Sequence, residues 1–440
     1  AEKKAVEKSS LVEDYGAKPV PAGEGKGWFG IGMVYWGSAM CLPSFFIAGL
    51  VAGPKTLGSS VLVYVVASLV LGGPSILTGM LGAKTRLSSG LTARFTFGRI
   101  GAAVLQILMF FALWGWFGVQ LGFMVTGFGD GGLMLVLGKA LPSWFWLILG
   151  GALITLTAVV GYKAIEKISI VAMPLIVVIL IVTIIREYSG GQSFAAAAAA
   201  TGPNAMPFGV AVSVLIGSYI IGATVVPDVT RYAKNRGAAG WGMLFGMTGG
   251  FIVVLTLGAI MIKGAGGEFD FSKIMLQGGS VIWAILAVVT IVLASWTTND
   301  VNLYSGALSI NALFPKMSKV VITIVSGVVG TALALLGINT AAGFQTFLSL
   351  VAIVIPPAVA VMIVDYYFFK GERNQGYDAD KVEKSANFRV IPFVSWMVGA
   401  GFGFLVKYAG LSFTSITAVD TIIVAAVVYF VVMLVARNKA

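Results

Sequence analysis

Apolar residues in this chain come as long runs separated by short charged connections, and that pattern sets the solvent before it sets the fold. A hydrocarbon core about 30 Å thick is crossed by about 20 helical residues. Of 440 residues, 58% are hydrophobic and only 11% charged, far from the balance of a soluble domain. The runs predict an all-α integral membrane protein with twelve spans. They fall near residues 27–53, 57–83, 100–128, 143–161, 165–186, 206–228, 239–263, 280–306, 318–336, 342–369, 389–409 and 415–436. Little chain is left for an extramembrane domain. Histidine is absent and Cys41 is the only cysteine, which removes intrachain disulfides, Cys/His metal sites and histidine proton relays. With no nucleophile–base pair visible inside a span either, the sequence does not read as an enzyme.

A net charge of +11 would suggest nucleic acid in a soluble protein, but in a membrane protein Lys and Arg are read by position. With the N-terminus placed inside, the inner segments hold 23 of the 29 basic residues and the outer segments 6. The bias predicts a multi-pass protein of the cytoplasmic membrane with both termini cytoplasmic. Residues 1–26 are polar and read as a cytoplasmic tail, and 371–388 as a cytoplasmic loop. The six alanines at 195–200 predict a short outer helix.

Several features recur about 180 positions apart. Gly37-Ser38 is matched by Gly217-Ser218, Trp116 by Trp296, Gly72-Gly73 by Gly249-Gly250, and Pro174 by Pro356. The matches fall on spans 1, 2, 3 and 5 against 6, 7, 8 and 10, as two five-helix units would give. Five is odd, so the second unit, 206–370, is inverted relative to the first, 27–190, with 389–440 appended as spans 11 and 12. Spans 1 and 6 carry helix breakers in corresponding places: Gly37 and Pro43 in one, Gly217, Gly222 and Pro227 in the other. Broken helices free backbone groups near the midplane, where only protein or an aqueous cavity satisfies them. The bland alternative is that these residues merely allow close packing.

Six tryptophans, Trp28, Trp144, Trp146, Trp241, Trp283 and Trp396, lie near span ends and read as an interfacial belt. Trp116 lies deep, and Gln120, four residues on, shares its helix face. A π surface beside an amide suits a planar heterocycle, with interhelical packing as the alternative. Tyr219, after the span 6 Gly-Ser, offers an opposing ring. Span 8 holds the densest polar string, Trp296-Thr297-Thr298-Asn299-Asp300-Val301-Asn302. Its two hydroxyls, with carbonyls from the span 1 break, make a neutral oxygen cage for a monovalent cation. Hydroxyl bonding back to the preceding turn is the alternative for either Thr. Asp300 is placed near the inner end, with Arg231 or the basic 84–99 loop as candidate partners. Asp228 and Asp365 lie at inner ends where solvation, gating and proton carriage all stay open.

Taken together, Gly82-Ala83-Lys84-Thr85, Leu91-Thr92-Ala93-Arg94-Phe95-Thr96-Phe97-Gly98, Trp116-Phe117-Gly118, Trp296-Thr297-Thr298-Asn299-Asp300 and Pro356-Pro357 with Asp365-Tyr366 resemble the nucleobase:cation symporter family of cytosine permeases and hydantoin transporters. The resemblance implies a LeuT-like (amino acid–polyamine–organocation) fold with spans 1 and 6 discontinuous, and sodium-coupled uptake by alternating access. It puts an aromatic sandwich on Trp116 and Tyr219. Sodium falls on the hydroxyls of Thr297 and Thr298, the carbonyl of Ala294 and span 1 carbonyls near Gly37, Ser38 and Cys41. Two departures bear on substrate. Where cytosine permeases place Gln and Ser, this chain has Leu113 and Ile221. Gln120 matches the hydantoin branch, whose span 8 Asn aligns near Leu303, one position from Asn302; Asn299 completes the candidate substrate set. Loss of polar partners in a dry pocket costs about 1–3 kcal/mol each. Cytosine itself is therefore disfavoured, and a nucleobase-like or hydantoin-like heterocycle is expected.

The leading expectation is a sodium-coupled importer of such a heterocycle, with sodium as coupling ion, no organic cofactor, the lipid bilayer as surroundings, no nucleic acid and no obligate protein partner. Proton coupling is the near alternative, and a passive channel or membrane sensor the one from another class.

Overall fold

A computed structural model describes residues 18–21, 25–129, 141–267, 271–276, 280–314, 316–338, 341–370 and 377–438. Positions 1–17 and 22–24 of the expected tail, and 371–376 of the expected inner loop, lie outside them. The described regular structure is helical apart from one isolated bridge, Lys26 to Ala233. That is what lipid demands, since a helix satisfies its own backbone. Among the described residues, ten helices are long and apolar enough to cross a membrane. With the bent pair Trp28–Ala39 and Leu42–Ala52 as span 1 and the shorter apolar helix Lys319–Leu335 as span 9, the described residues are consistent with twelve spans.

The two interruptions differ. Span 1 bends by 64° at Met40 and Cys41, and Pro43 sits at the start of its second half, where a missing N–H costs nothing. Span 6 runs as Phe208–Thr224 and Val226–Thr230, interrupted at Val225, with Pro227 in the same early position. Gly217 and Gly222, expected as breakers, stay inside the first helix. The prolines, which remove a donor, set both interruptions; glycine alone does not force one.

Spans 1, 2, 6 and 7 pack together, as do spans 3, 4, 8 and 9. Span 5 lies against spans 1, 7 and 8, span 10 against span 6, and spans 11 and 12 pair beside span 10. Close approach is bought with glycine at two crossings: a Cβ at Gly246 in span 7 would overlap the backbone of Gly32 in span 1, and one at Gly330 in span 9 the ring of Phe117 in span 3. The expected inner connections gather at one end: Lys26 pairs with Glu166 at 2.7 Å and bonds the backbone of Tyr232, while Arg389 reaches Asp365 at 2.7 Å. Expected outer connections meet at the other, where Gly202 donates to Pro54 and Lys263 to Ala200. The alanine run forms Phe194–Ala199, started by the Ser193 side chain.

The helix before span 3 begins earlier than expected, at Ser89, and turns at Gly98, whose φ of 77° only glycine adopts freely. Residues 386–389 dock on that turn: Arg99 and Ile100 donate to Ala386 and Asn387, and Arg389 to Phe97. Trp396, expected in the interfacial belt, is instead fully buried and donates to the Val354 carbonyl at 2.8 Å. Span 11 has span 10 on that face where the sequence position alone suggested headgroups.

Candidate functional site

Between the two groups of spans, at the break of span 1, lies a narrow cavity with about 490 Å³ of empty space out to its open side. Leu113, Trp116 and Gln120 line it from span 3, at the i, i+3, i+7 spacing of one helix face. Ser218, Tyr219, Ile221 and Gly222 come from span 6, Ser38, Cys41 and Ser44 from span 1, and Thr298, Val301 and Asn302 from span 8. The expected substrate residues thus converge, with one exception. Asn299 is fully buried behind the wall, donating to the Phe117 carbonyl at 3.3 Å and accepting from the Asn302 amide at 3.2 Å. It orients Asn302 and does not line the cavity. Leu303, the other aligned position, is buried in the apolar core.

The polar atoms of this cavity are unevenly satisfied. Tyr219 stacks on Phe251 at 5.1 Å and 17°, and its hydroxyl donates to Ser38 Oγ at 2.7 Å. Cys41 Sγ lies 3.1 Å from Ser44 Oγ. Gln120 is 1% exposed, yet its Oε1 has no hydrogen-bond partner among the described residues. An amide oxygen that no protein group satisfies leaves an acceptor available at the cavity wall.

Beside the cavity, spans 1 and 8 meet through oxygen. Thr297 Oγ1 lies 3.0 Å from the Gly37 carbonyl, 3.1 Å from Leu293 and 3.4 Å from Ala294. Thr298 Oγ1 lies 3.0 Å from the Ser38 carbonyl and 3.2 Å from Ala294. Two hydroxyl protons therefore face four carbonyl oxygens. Such a cluster, rich in acceptors, poor in donors and free of formal charge, suits a small monovalent cation. Bonding back along the helix does occur at both threonines, yet each also reaches across to span 1. The Cys41 carbonyl accepts from Ser44 and Phe45 in the first turn of the next helix, as the Gly37 carbonyl accepts from Met40, and Cys41 also lines the cavity. Ser38 belongs to both places, its carbonyl at Thr298 and its hydroxyl at Tyr219.

The buried carboxylates lie elsewhere. Asp300 does not meet Arg231 or the 84–99 loop as expected; its Oδ1 accepts from Thr157 of span 4 at 2.6 Å, and Trp296 donates to the same Thr157 at 2.9 Å. Helix geometry turns Asp300 away from the face that carries Thr298 and Asn302. Asp228 accepts from Ser89 N and Oγ, both at 2.8 Å. Arg231 donates to Tyr304 at 2.7 Å. Asp365 is fully buried and paired with Arg389. No group of three or more His, Cys, Asp or Glu that could hold a metal occurs among the described residues.

Sequence reasoning missed Ser44 and Ile47, which face the cavity one turn apart after the span 1 break, and Val301 on the face of Thr298 and Asn302. The i, i+3, i+4 spacing from Thr298 carried that signal.

Residues 19–400 match the family model described as permease for cytosine/purines, uracil, thiamine, allantoin. The cytosine permease of Escherichia coli K12 is 28% identical over 394 residues, covering 89% of this chain and 90% of that relative. A hydantoin permease of Microbacterium maritypicum is 25% identical over 309 residues, 66% of this chain and 62% of the relative. Among solved structures, Mhp1, a nucleobase-cation-symport-1 family transporter, in a closed conformation with bromovinylhydantoin bound, superposes with a TM-score of 0.83 at 20% identity, covering 96% of this chain and 95% of that one. Its inward-facing conformation gives 0.79 at 19% identity, covering 97% and 95%. With the fold and most of the sequence in agreement, the chain belongs to the nucleobase-cation-symport-1 family of permeases.

Proposed function

We propose that this permease imports a planar, N–H-bearing heterocycle of the nucleobase or hydantoin class by sodium-coupled alternating access across the cytoplasmic membrane, its termini on the cytoplasmic side. The observation that carries the reading is the open Gln120 acceptor in a cavity that also holds Trp116 and Tyr219. The heterocycle stacks between the two rings and donates an N–H to Gln120 Oε1. Asn302, held by Asn299, supplies a further amide. Leu113 and Ile221 present hydrocarbon to the ring edge, which favours a substrate with fewer polar edges than cytosine.

Sodium would lie on the hydroxyls of Thr297 and Thr298 and the carbonyls of Gly37, Ser38 and Ala294. It joins span 1 of one group to span 8 of the other, while the heterocycle joins span 3 to span 6. Both ligands stabilise the same closure of the two groups. Each therefore raises the other's affinity, with a coupling on the order of 1–3 kcal/mol. Ser38 links the two sites directly. The units 27–190 and 206–370 are the two inverted repeats, and their interrupted first helices supply the moving contacts.

A thermal-shift screen of purines, pyrimidines, hydantoins and allantoin in sodium and in potassium tests this. A planar N–H heterocycle is expected to stabilise the protein in sodium more than in potassium. Stabilisation independent of sodium, with uptake driven by a pH gradient alone, would favour proton coupling instead. Accumulation above the external concentration separates transport from a passive channel.

A further inference from the structure

A second, smaller and narrower cavity lies between the first cavity and the inner end, lined by Ser89, Gly90, Gln106, Thr224, Ser309 and Met362 among others. The two cavities adjoin at the interruption of span 6, where Thr224 faces the second and Val225 the first. Gln106 is 2% exposed; its Nε2 donates to the Gly90 carbonyl at 2.5 Å, and its Oε1 has no partner among the described residues. This repeats the condition of Gln120 in the first cavity. The two glutamines lie on one face of span 3, with Met109, Leu113 and Trp116 between them at spacings of three and four. Four helical turns separate them, about 21 Å.

The remaining polar walls of the second cavity are also acceptors. Ser309 donates to the Ser305 carbonyl at 3.0 Å, Thr224 to Ile220 at 2.9 Å and Ser89 to Asp228 at 2.8 Å, so their protons are used within the protein. A ligand that fits such walls brings N–H donors. It is the same chemistry the first cavity asks for.

We propose that the second cavity is an inner station for the transported heterocycle, where Gln106 Oε1 accepts a ring N–H after the molecule leaves Trp116 and Gln120. The inference rests on the substrate class proposed above. Span 3 and span 8 each supply one polar side chain to either cavity, Gln120 and Asn302 to the first and Gln106 and Ser309 to the second, so an N–H leaving the first pair finds acceptors again in the second.

The test uses sided membrane vesicles containing the full chain, with labelled hydantoin, allantoin and uracil as probes and exchange measured from each face. Gln106→Met is expected to raise the half-saturating concentration on the face carrying Lys26 about tenfold, and to leave that on the opposite face within about twofold. Ser309→Ala, a milder change, is expected to act in the same direction by twofold to fivefold, and carries the test if Gln106→Met does not assemble. An equal shift on both faces, or none, for the variant that assembles would overturn the station. Failure of the unaltered protein to exchange any probe would instead overturn the substrate class.

Discussion

Two buried polar regions of this permease are built to opposite rules. At the inner end, Asp365 accepts from Arg389 at 2.7 and 3.1 Å, from Tyr377 at 2.9 Å and from Tyr429 at 2.5 Å. Arg389 also donates to the carbonyls of Phe95 and Thr96, and Tyr377 lies 2.5 Å from Thr96 Oγ1. Both carboxylate oxygens and the guanidinium are engaged, and the cluster ties the inner end of span 10 and the 377–389 segment to the helix before Gly98. In the central cavity, by contrast, Gln120 keeps a bare oxygen, and two threonine protons face four carbonyls. A structural cluster saturates its partners; a binding site leaves donors missing where a ligand will supply them. An orphaned atom is no mark of a site by itself, since Asp300 Oδ2 and Trp36 Nε1 are also buried without a hydrogen-bond partner among the described residues; what sets Gln120 apart is its place on the cavity wall beside Trp116 and Tyr219.

The sharpest way to break this comparison is to remove one partner in each region and measure stability beside affinity. Arg389→Met strips a buried carboxylate of its cation and is expected to destabilise the protein by about 3–5 kcal/mol, read as a fall in the thermal midpoint and in assembled protein. Trp116→Ala is expected to cost about 1–3 kcal/mol of substrate affinity, from loss of the stacking surface, and to lower the midpoint as well, because Trp116 is buried in the core. Normal binding by that variant would defeat the sandwich. Gln120→Met should act with opposite signs on the two readouts: about 1 kcal/mol more stable without ligand, because an unsatisfied acceptor is gone, and about tenfold weaker in binding. A fall in both would move Gln120 into the structural class. Thr298→Ala should raise the half-saturating sodium concentration severalfold, whereas Leu113→Ala should leave it unchanged, as equilibrium binding across a sodium series would show.

Much of this was legible in the sequence, because a membrane chain has few polar residues inside its spans and each must be explained. Trp116, Gln120, Tyr219 and Thr298 were found that way, and the structure brings all four to one cavity. What was not legible depended on pairings between spans. The partner of Asp300 is Thr157, one of two threonines in span 4, and no spacing rule connects span 4 to span 8. The interruption of span 6 falls at Val225 because Pro227 lacks a donor, while glycines that looked equally disruptive remain helical. Trp396 near a span end reads as interfacial until span 10 is seen against it. The second cavity was hidden for the same reason, since Gln106 alone gives no sign of Ser309 or Thr224.

The central claim is that heterocycle and sodium are bound together, across the seam between the two groups of spans. Equilibrium binding of labelled hydantoin and allantoin to the purified full chain, in sodium and in equimolar potassium, tests it most directly. Affinity is expected to be higher by about fivefold or more in sodium, as a coupling of 1–3 kcal/mol requires, with the difference abolished in Thr298→Ala. Equal affinity in the two media would contradict it.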